Sequence, residues 1–304
     1  MMRFLAAHLH VPVRARTWAL GRCYCQYAPS ATPWPRRPRP PLFSSASSSR
    51  VPVSWPRQLG TSTRIGVVQI NPNHKELEDR IVLHQMLLGL ALRQECNLIL
   101  FPELSITGYK PEQAKFLAFA GPNDARVDVF ADWCKKYGVH VVVGAPMISA
   151  DGRGVHISAF IFHPDGSRLS YKKRFLHEDE VPFFLPGDTQ AYLTMENGDK
   201  AGLAICYESL LPEHPAEVRS NGANVYLTSV AKHEDGIKRA IEYFPEIAKL
   251  HNMPIVMANL VGPCEDFVNA GRSSVWSSRG DLLASMDSIN EGVIVFDLDA
   301  SKAE

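Results

Sequence analysis

Residues 202–213 read GLAICYESLLPE, a run of small and apolar residues that stops at Cys206 and is followed at once by Tyr207-Glu208. An uninterrupted apolar run bounded by polar residues is the pattern of a buried strand. The thiol at its end has two readings. Free cysteines are among the most buried residue types, so Cys206 can be core filler. Reactive side chains also collect just beyond strand ends in helix-covered sheets, so it can be a nucleophile. The rest of the chain decides between them.

Apolar runs recur on both sides of this stretch. Residues 64–70 (RIGVVQI), 97–101 (NLILF) and 139–145 (VHVVVGA) read as strands. Helical patterns over 74–95 and 124–137 separate them, the first with Leu77, Ile81, Leu83, Leu87, Leu88 and Leu92 at roughly helical spacing. Two hairpins follow, 156–163 with 167–173 around Pro164-Asp165-Gly166, and 191–196 with 200–206 around Asn197-Gly198-Asp199. A helix over 212–221, a strand over 224–230, a helix over 236–251 and a strand over 254–261 restore the alternation, and short strands over 273–276, 282–285 and 292–297 close it. Such an order implies an α/β chain of about ten to twelve strands in mixed sheets, with right-handed crossovers and helices covering the sheets.

The chain has 304 residues, 45% of them hydrophobic, enough to bury a sizeable core. Residues 1–60 differ from the remainder. They hold nine arginines and the stretches PWPRRPRPP and SSASSS, and no acidic residue occurs before Glu76. Without an apolar period they are expected to be a disordered leader. An Arg- and Ser-rich leader without acids matches an organelle transit peptide, and MMRFLAAHLHVPVRARTWAL suits a short basic amphipathic helix. The expectation is mitochondrial, with plastid or cytoplasmic placement as alternatives. With those nine arginines set aside, 23 basic residues face 32 acidic ones, so the body over 64–299 carries about −9 and is a poor partner for nucleic acid. No run of 18 apolar residues spans a membrane. Cysteines at 23, 25, 96, 134, 206 and 264 form neither a zinc pattern nor a disulfide framework, so no metal is expected and a reducing compartment fits.

Three polar groups stand where apolar strands stop: Glu103 after NLILFP, Lys173 after SRLSYK, and Cys206 after GLAI. Singly, each has a bland reading as a cap, a solvated basic residue or a buried thiol. Together they are complementary. A thiol with an ordinary pKa near 8.5 is mostly protonated at neutral pH, so a base must take its proton and a cation must hold the resulting charge. Attack of that thiolate on a carbonyl or nitrile develops an oxyanion, which an ammonium and a backbone N–H can stabilise.

The segments FPELSITGY, YKKRFL with EVPFFLPG after it, and GLAICYESLLPE occur in this order, their polar residues 70 and 33 positions apart. In this they resemble the nitrilase superfamily of carbon–nitrogen hydrolases, over roughly residues 64–299. The resemblance implies a four-layer αββα sandwich and a Glu-Lys-Cys triad. Glu103 would be the general base, Lys173 the cation for the tetrahedral oxyanion and Cys206 the nucleophile forming a thioester. The backbone N–H of Tyr207 would complete the oxyanion hole. Lys172 is the rival of Lys173, and the family's spacing favours Lys173. A second acid that many members carry maps to Glu180, with Glu178 and Asp179 as neighbours in contention. Tyr109, Phe184 and Ser229 are, by position, candidate pocket-lining residues, with plain packing as the alternative.

Departures from the family's patterns bear on substrate. Cys206-Tyr207-Glu208 is nearer to amidases and N-carbamoyl hydrolases than to true nitrilases, which usually carry Cys-Trp-Glu. The usual R-A-x-E-N is replaced by Ile247-Ala248-Lys249-Leu250-His251-Asn252, and TSVAKHED at 228–235 lacks the P-x-x-W of several subfamilies. The resemblance therefore implies hydrolysis of a non-peptide C–N bond in a small amide or carbamoyl substrate, without a cofactor, by a homodimer or larger homo-oligomer. Nitrile hydrolysis by the same triad, or an interaction protein that has lost turnover, are the alternatives. Glutamine-dependent NAD synthetase would need a further nucleotide-binding domain after residue 300, and apolipoprotein N-acyltransferase would need several membrane helices, so neither fused arrangement is expected.

Overall fold

The computed structural model describes residues 16–19, 62–73, 76–265 and 267–298. In chain order the strands are β1 (Arg16–Ala19), β2 (Arg64–Gln69), β3 (Leu98–Leu100), β4 (His140–Ile148), β5 (Val155–Phe162), β6 (Arg168–Lys172), β7 (Tyr192–Thr194), β8 (Lys200–Ile205), β9 (Val225–Val230), β10 (Ile255–Asn259), β11 (Val261–Pro263), β12 (Val268–Ala270), β13 (Ser274–Trp276), β14 (Leu282–Ser285) and β15 (Gly292–Asp297). The helices are α1 (Leu77–Arg93), α2 (Ala114–Leu117), α3 (Asp128–Tyr137), α4 (Glu213–Ser220) and α5 (Glu234–His251).

Two mixed sheets carry the fold. One runs β1-β15-β2-β3-β4-β5-β6 and the other β14-β13-β10-β9-β8-β7, with β11 and β12 as a separate ribbon. The central strands read as continuous apolar runs because both of their faces are buried. Side chains alternate along a strand, and the alternation assigns each residue to a layer. Val67, Val142, Ile157, Leu203, Leu227 and Val256 meet in a core shared by the two sheets. Their neighbours Val68, Val141, Val143 and Phe160 turn outward onto Leu87, Leu88 and Phe130 of α1 and α3. On the second sheet Ala204, Tyr226, Ile255 and Met257 face Ile237, Phe244 and Ile247 of α5. The result is the αββα sandwich, with three apolar interfaces. Each fully buried Val, Leu or Ile side chain in them contributes roughly 1.5–3 kcal/mol of transfer free energy.

Some boundaries differ from expectation. The helix expected over 124–137 begins as a 3₁₀ turn at Ala125–Val127, where the Asp124 carboxylate accepts from the Arg126 N–H. It ends at Gly138, whose φ of 62° suits a left-handed C-cap. The ribbon of β11 and β12 and the short α2 were not expected, since three- and four-residue elements carry no readable period. Of the leader expected to be disordered over 1–60, the described residues Arg16–Ala19 pair antiparallel with β15, Thr17 opposite Ile294. Thr17 and Trp18 are strand-favouring types in an otherwise Pro- and Ser-rich segment. The rest of that leader lies outside the described residues. Among the described residues no helix is long and apolar enough to cross a membrane.

Candidate active site

Glu103 sits two residues past the last core side chain of the 97–101 run, on an arm that packs against β4. Gly144 lies under this arm, and a Cβ there would stand 2.3 Å from the Leu104 nitrogen and 2.4 Å from the Pro102 carbonyl oxygen. No other residue leaves room for the arm. Leu104 itself has φ 49°, in the left-handed region. From the other side the Ser229 hydroxyl donates to the Phe101 carbonyl at 3.0 Å. His84 of α1 bonds the Arg80 carbonyl at 2.7 Å through Nδ1 and the Ser105 hydroxyl at 3.1 Å through Nε2. Burial pushes the His84 pKa down to about 4, so the ring is neutral, donating at Nδ1 and accepting at Nε2. The arm that carries the carboxylate is thereby held in place by three separate elements.

Lys173 follows β6 and is fully buried, whereas Lys172 beside it is half-buried. The alternation of the strand selects which lysine points inward. Its Nζ donates to Glu103 Oε1 at 3.0 Å and to Glu180 Oε1 at 2.6 Å. Glu180 is 2% exposed, while Glu178 and Asp179 are exposed, so geometry separates the three acids. Glu180 also accepts from the Tyr109 hydroxyl at 3.1 Å and from the His177 N–H at 2.8 Å. Gly187 packs directly on this corner, donating its N–H to the Lys173 carbonyl at 2.7 Å.

Cys206 stands at the end of β8 as the first residue of a 3₁₀ turn, Cys206–Leu210. Its φ of 50° is a conformation that costs an L-residue about 1–2 kcal/mol, and such strain persists only where surrounding contacts impose it. Glu208 imposes it. One carboxylate oxygen accepts from the Ile205 N–H and the Tyr171 hydroxyl, each at 2.7 Å. The other accepts from the Arg174 N–H at 2.8 Å and the Phe175 N–H at 3.3 Å. One buried side chain thus ties the cysteine turn to the segment carrying Lys173. Tyr207 is the second residue of the turn, where N–H groups have no partner inside the helix.

The electrostatics follow from burial and pairing. Burial raises the Glu103 pKa, with the Lys173 ammonium opposing it. Burial works against the Lys173 charge, but Glu103 and Glu180 outweigh it and the ammonium holds its proton more firmly than an ordinary lysine. Burial pushes the Cys206 thiol up to about 11; Glu103 adds to this, and Lys232 and Lys173 oppose it. A neutral thiol therefore rests beside a carboxylate with enhanced affinity for a proton, which is the arrangement general-base activation requires.

Glu103, Lys173, Glu180 and Tyr109 are thus joined by hydrogen bonds, and Cys206 lies close enough to feel the charges of Glu103, Lys173 and Glu180. Two expected pocket residues are placed otherwise. Ser229 is fully buried with its hydroxyl given to Phe101, and so anchors the Glu103 arm instead of presenting that group to a ligand. Phe184 is buried in the core between the sheets. One residue was missed: Lys232, 5% exposed, whose Nζ lies 3.8 Å from Cys206 Sγ. It closes the apolar run of β9, and the strand-end pattern that picked out the other three side chains applies to it equally. Among the described residues no group of three or more His, Cys, Asp or Glu side chains is arranged to hold a metal ion.

The description of the carbon–nitrogen hydrolase family matches residues 64–304. The chain belongs to the carbon–nitrogen hydrolase family. Its relatives include a nitrilase from Pyrococcus abyssi, 26% identical over 78% of this chain and 89% of that protein. A glutamine-dependent NAD(+) synthetase from Thermotoga maritima is 28% identical over 78% of this chain, and the carbon–nitrogen hydrolase chain spans only 42% of the synthetase's length. Among solved structures, a mutant of the amidase from Nesterenkonia sp. AN1 with the acetamide moiety of fluoroacetamide covalently added at its active site cysteine superimposes with a TM-score of 0.72 at 26% identity, covering 80% of this chain and 93% of that one. Such neighbours place this carbon–nitrogen hydrolase in the amidase-like part of the nitrilase superfamily.

Proposed function

We propose that the protein hydrolyses a non-peptide C–N bond of a small amide or carbamoyl compound through a thioester on Cys206, releasing ammonia or an amine. The observation that carries this reading is the buried Lys173 ammonium shared by Glu103 and Glu180 beside a partly exposed thiol. Nothing in folding requires that grouping, since buried ion pairs seldom stabilise a fold more than apolar residues of equal volume.

In the first half-reaction the Cys206 S–H bond breaks, its proton passes to Glu103, and the sulfur electron pair forms a bond to the carbonyl carbon. Lys173 and the Tyr207 N–H hold the negative charge that develops on the carbonyl oxygen. Collapse of the tetrahedral adduct breaks the C–N bond, and the leaving nitrogen takes the proton from Glu103. In the second half-reaction Glu103 removes a proton from water, the hydroxide adds to the thioester, and the C–S bond breaks to return the thiol and a carboxylic or carbamic acid. Glu180 and Tyr109 act through Lys173, fixing where its ammonium points.

An ammonia-release screen over small amides, carbamoyl compounds and nitriles tests the reaction class. Release from amides or carbamoyl compounds is expected, whereas release from nitriles with no amide turned over would overturn the assignment. Gly144→Ala tests how the base is positioned. A Cβ there displaces the Glu103 arm, and a misplacement of about 1 Å lowers kcat on the order of a hundredfold. Steady-state rates measured beside thermal melting check this. We also propose that the leader directs the chain to mitochondria; sequencing the amino terminus of protein from its native cell would test that, and an intact Met1 would count against cleavage.

A further inference from the structure

Lys232 is 5% exposed, and an ammonium so far from water needs an anion. Among the described residues no carboxylate lies within ion-pair distance of its Nζ, and the one hydrogen-bond partner of that atom is Cys206 Sγ at 3.8 Å. The residue is held for this contact. Its N–H donates to Asn259 Oδ1 at 2.8 Å, and its carbonyl accepts from Asn259 Nδ2 at 3.2 Å and from the Ala270 N–H at 2.9 Å. Gly236 on the first turn of α5 leaves space for its stem, for a Cβ there would stand 3.2 Å from Lys232 Cβ and 3.4 Å from Cγ. Ala231 just before it donates its N–H to Glu103 Oε2 at 3.0 Å, so one short segment touches both the base and the nucleophile.

We propose that Lys232 is the counter-ion of the Cys206 thiolate, a second catalytic cation beside Lys173. The proposal rests on the reading of Cys206 as the nucleophile. The charges that face the thiol are Glu103 from the arm after β3, Lys173 and Glu180 from the segment after β6, and Lys232 from the end of β9. In the resting site Lys173 serves both carboxylates, and among the described residues Lys232 has none. When the thiol proton moves to Glu103, that acid becomes neutral and its claim on Lys173 lapses. Lys173 keeps Glu180, and Lys232 acquires the sulfur anion. Each cation then has one anion, and no net charge has been created. Without Lys232 the same transfer would leave two anions, the thiolate and Glu180, with only Lys173 between them.

The test is the pH dependence of Cys206 alkylation by iodoacetamide, read by intact mass on the full chain. In Lys232→Met the midpoint of the alkylation rate should rise by at least about one pH unit, a tenfold loss of thiolate at neutral pH. Lys232→Arg, which keeps the charge, should restore the wild-type midpoint, and kcat should fall with the thiolate fraction in Lys232→Met. Where Lys232→Met melts too low to assay, Lys232→Gln reads the same shift with a polar side chain of nearly the same length. A midpoint in Lys232→Met or Lys232→Gln equal to that of the wild type would overturn the proposal. Failure of the nucleophile reading looks different: turnover would survive Cys206→Ala whatever the behaviour of Lys232.

Discussion

Cys206→Ala is expected to abolish turnover, lowering kcat by at least about four orders of magnitude, while the fold persists. The size follows from the mechanism: removing a covalent nucleophile removes the whole pathway, and the base and the oxyanion donors left behind supply only a small residual rate. The fold should persist because Cys206 is only partly buried and its turn is held by Glu208, the Ile205 N–H and Tyr171, none of which the substitution touches. The thermal midpoint should therefore change by an amount worth about 1 kcal/mol or less, with relief of left-handed strain unaffected by the exchange of one non-glycine residue for another. Ammonia release and circular dichroism on the same sample would check both halves. Wild-type turnover in Cys206→Ala would remove the proposed mechanism.

Lys173→Met should lose activity and, unlike Cys206→Ala, a large part of the stability. The substitution leaves Glu103 and Glu180 buried with the bridging ammonium gone, where each now accepts 3.0 and 2.6 Å bonds from it. Breaking a buried pair by removing one partner typically costs about 3–5 kcal/mol. The loss should depend on pH in a defined direction. Burial already raises the Glu103 pKa, and removing the cation that opposes this raises it further. A carboxyl whose folded pKa lies above its unfolded value supports the fold at pH below that unfolded value and loses the contribution as pH rises through the folded one. Lys173→Met should thus lie closer to wild type at pH 5 than at pH 8. The neighbouring Lys172→Met, half-buried and outside the ion cluster, should stay within about 0.5 kcal/mol at both. Equal thermal shifts for the two lysines would show that the buried cluster is not what holds this corner together.

The parts of the fold that were readable from sequence are those where burial acts on both faces of a strand. Residues 202–205 and 141–145 had to be apolar throughout, because Leu203 and Val142 face the other sheet while Ala204, Val141 and Val143 face helices. The candidate triad stood out for a related reason. A strand that is apolar to its end makes a polar residue immediately beyond it conspicuous, as at Glu103, Lys173 and Cys206. Lys232 obeyed the same rule and was passed over, since Lys232-His233-Glu234-Asp235 reads as a solvated run. Only tertiary structure shows otherwise: β8 and β9 are parallel with Ile205 opposite Ser229, which brings the residues after Val230 beside Cys206. The plain-packing alternative for Ser229 was hidden for the complementary reason. Its position at the site is real, but its hydroxyl bonds a carbonyl of the other sheet, and no local pattern reports a partner 128 residues away.

If an amide passes its acyl group to Cys206, the mass of the enzyme quenched with acid during turnover records the transfer. The expected result is an increment equal to the acyl group, mapping to the peptide that contains Cys206, chased away by hydrolysis and absent from Cys206→Ala. Steady turnover with no such adduct, or an adduct on Cys264 that persists in Cys206→Ala, would contradict it.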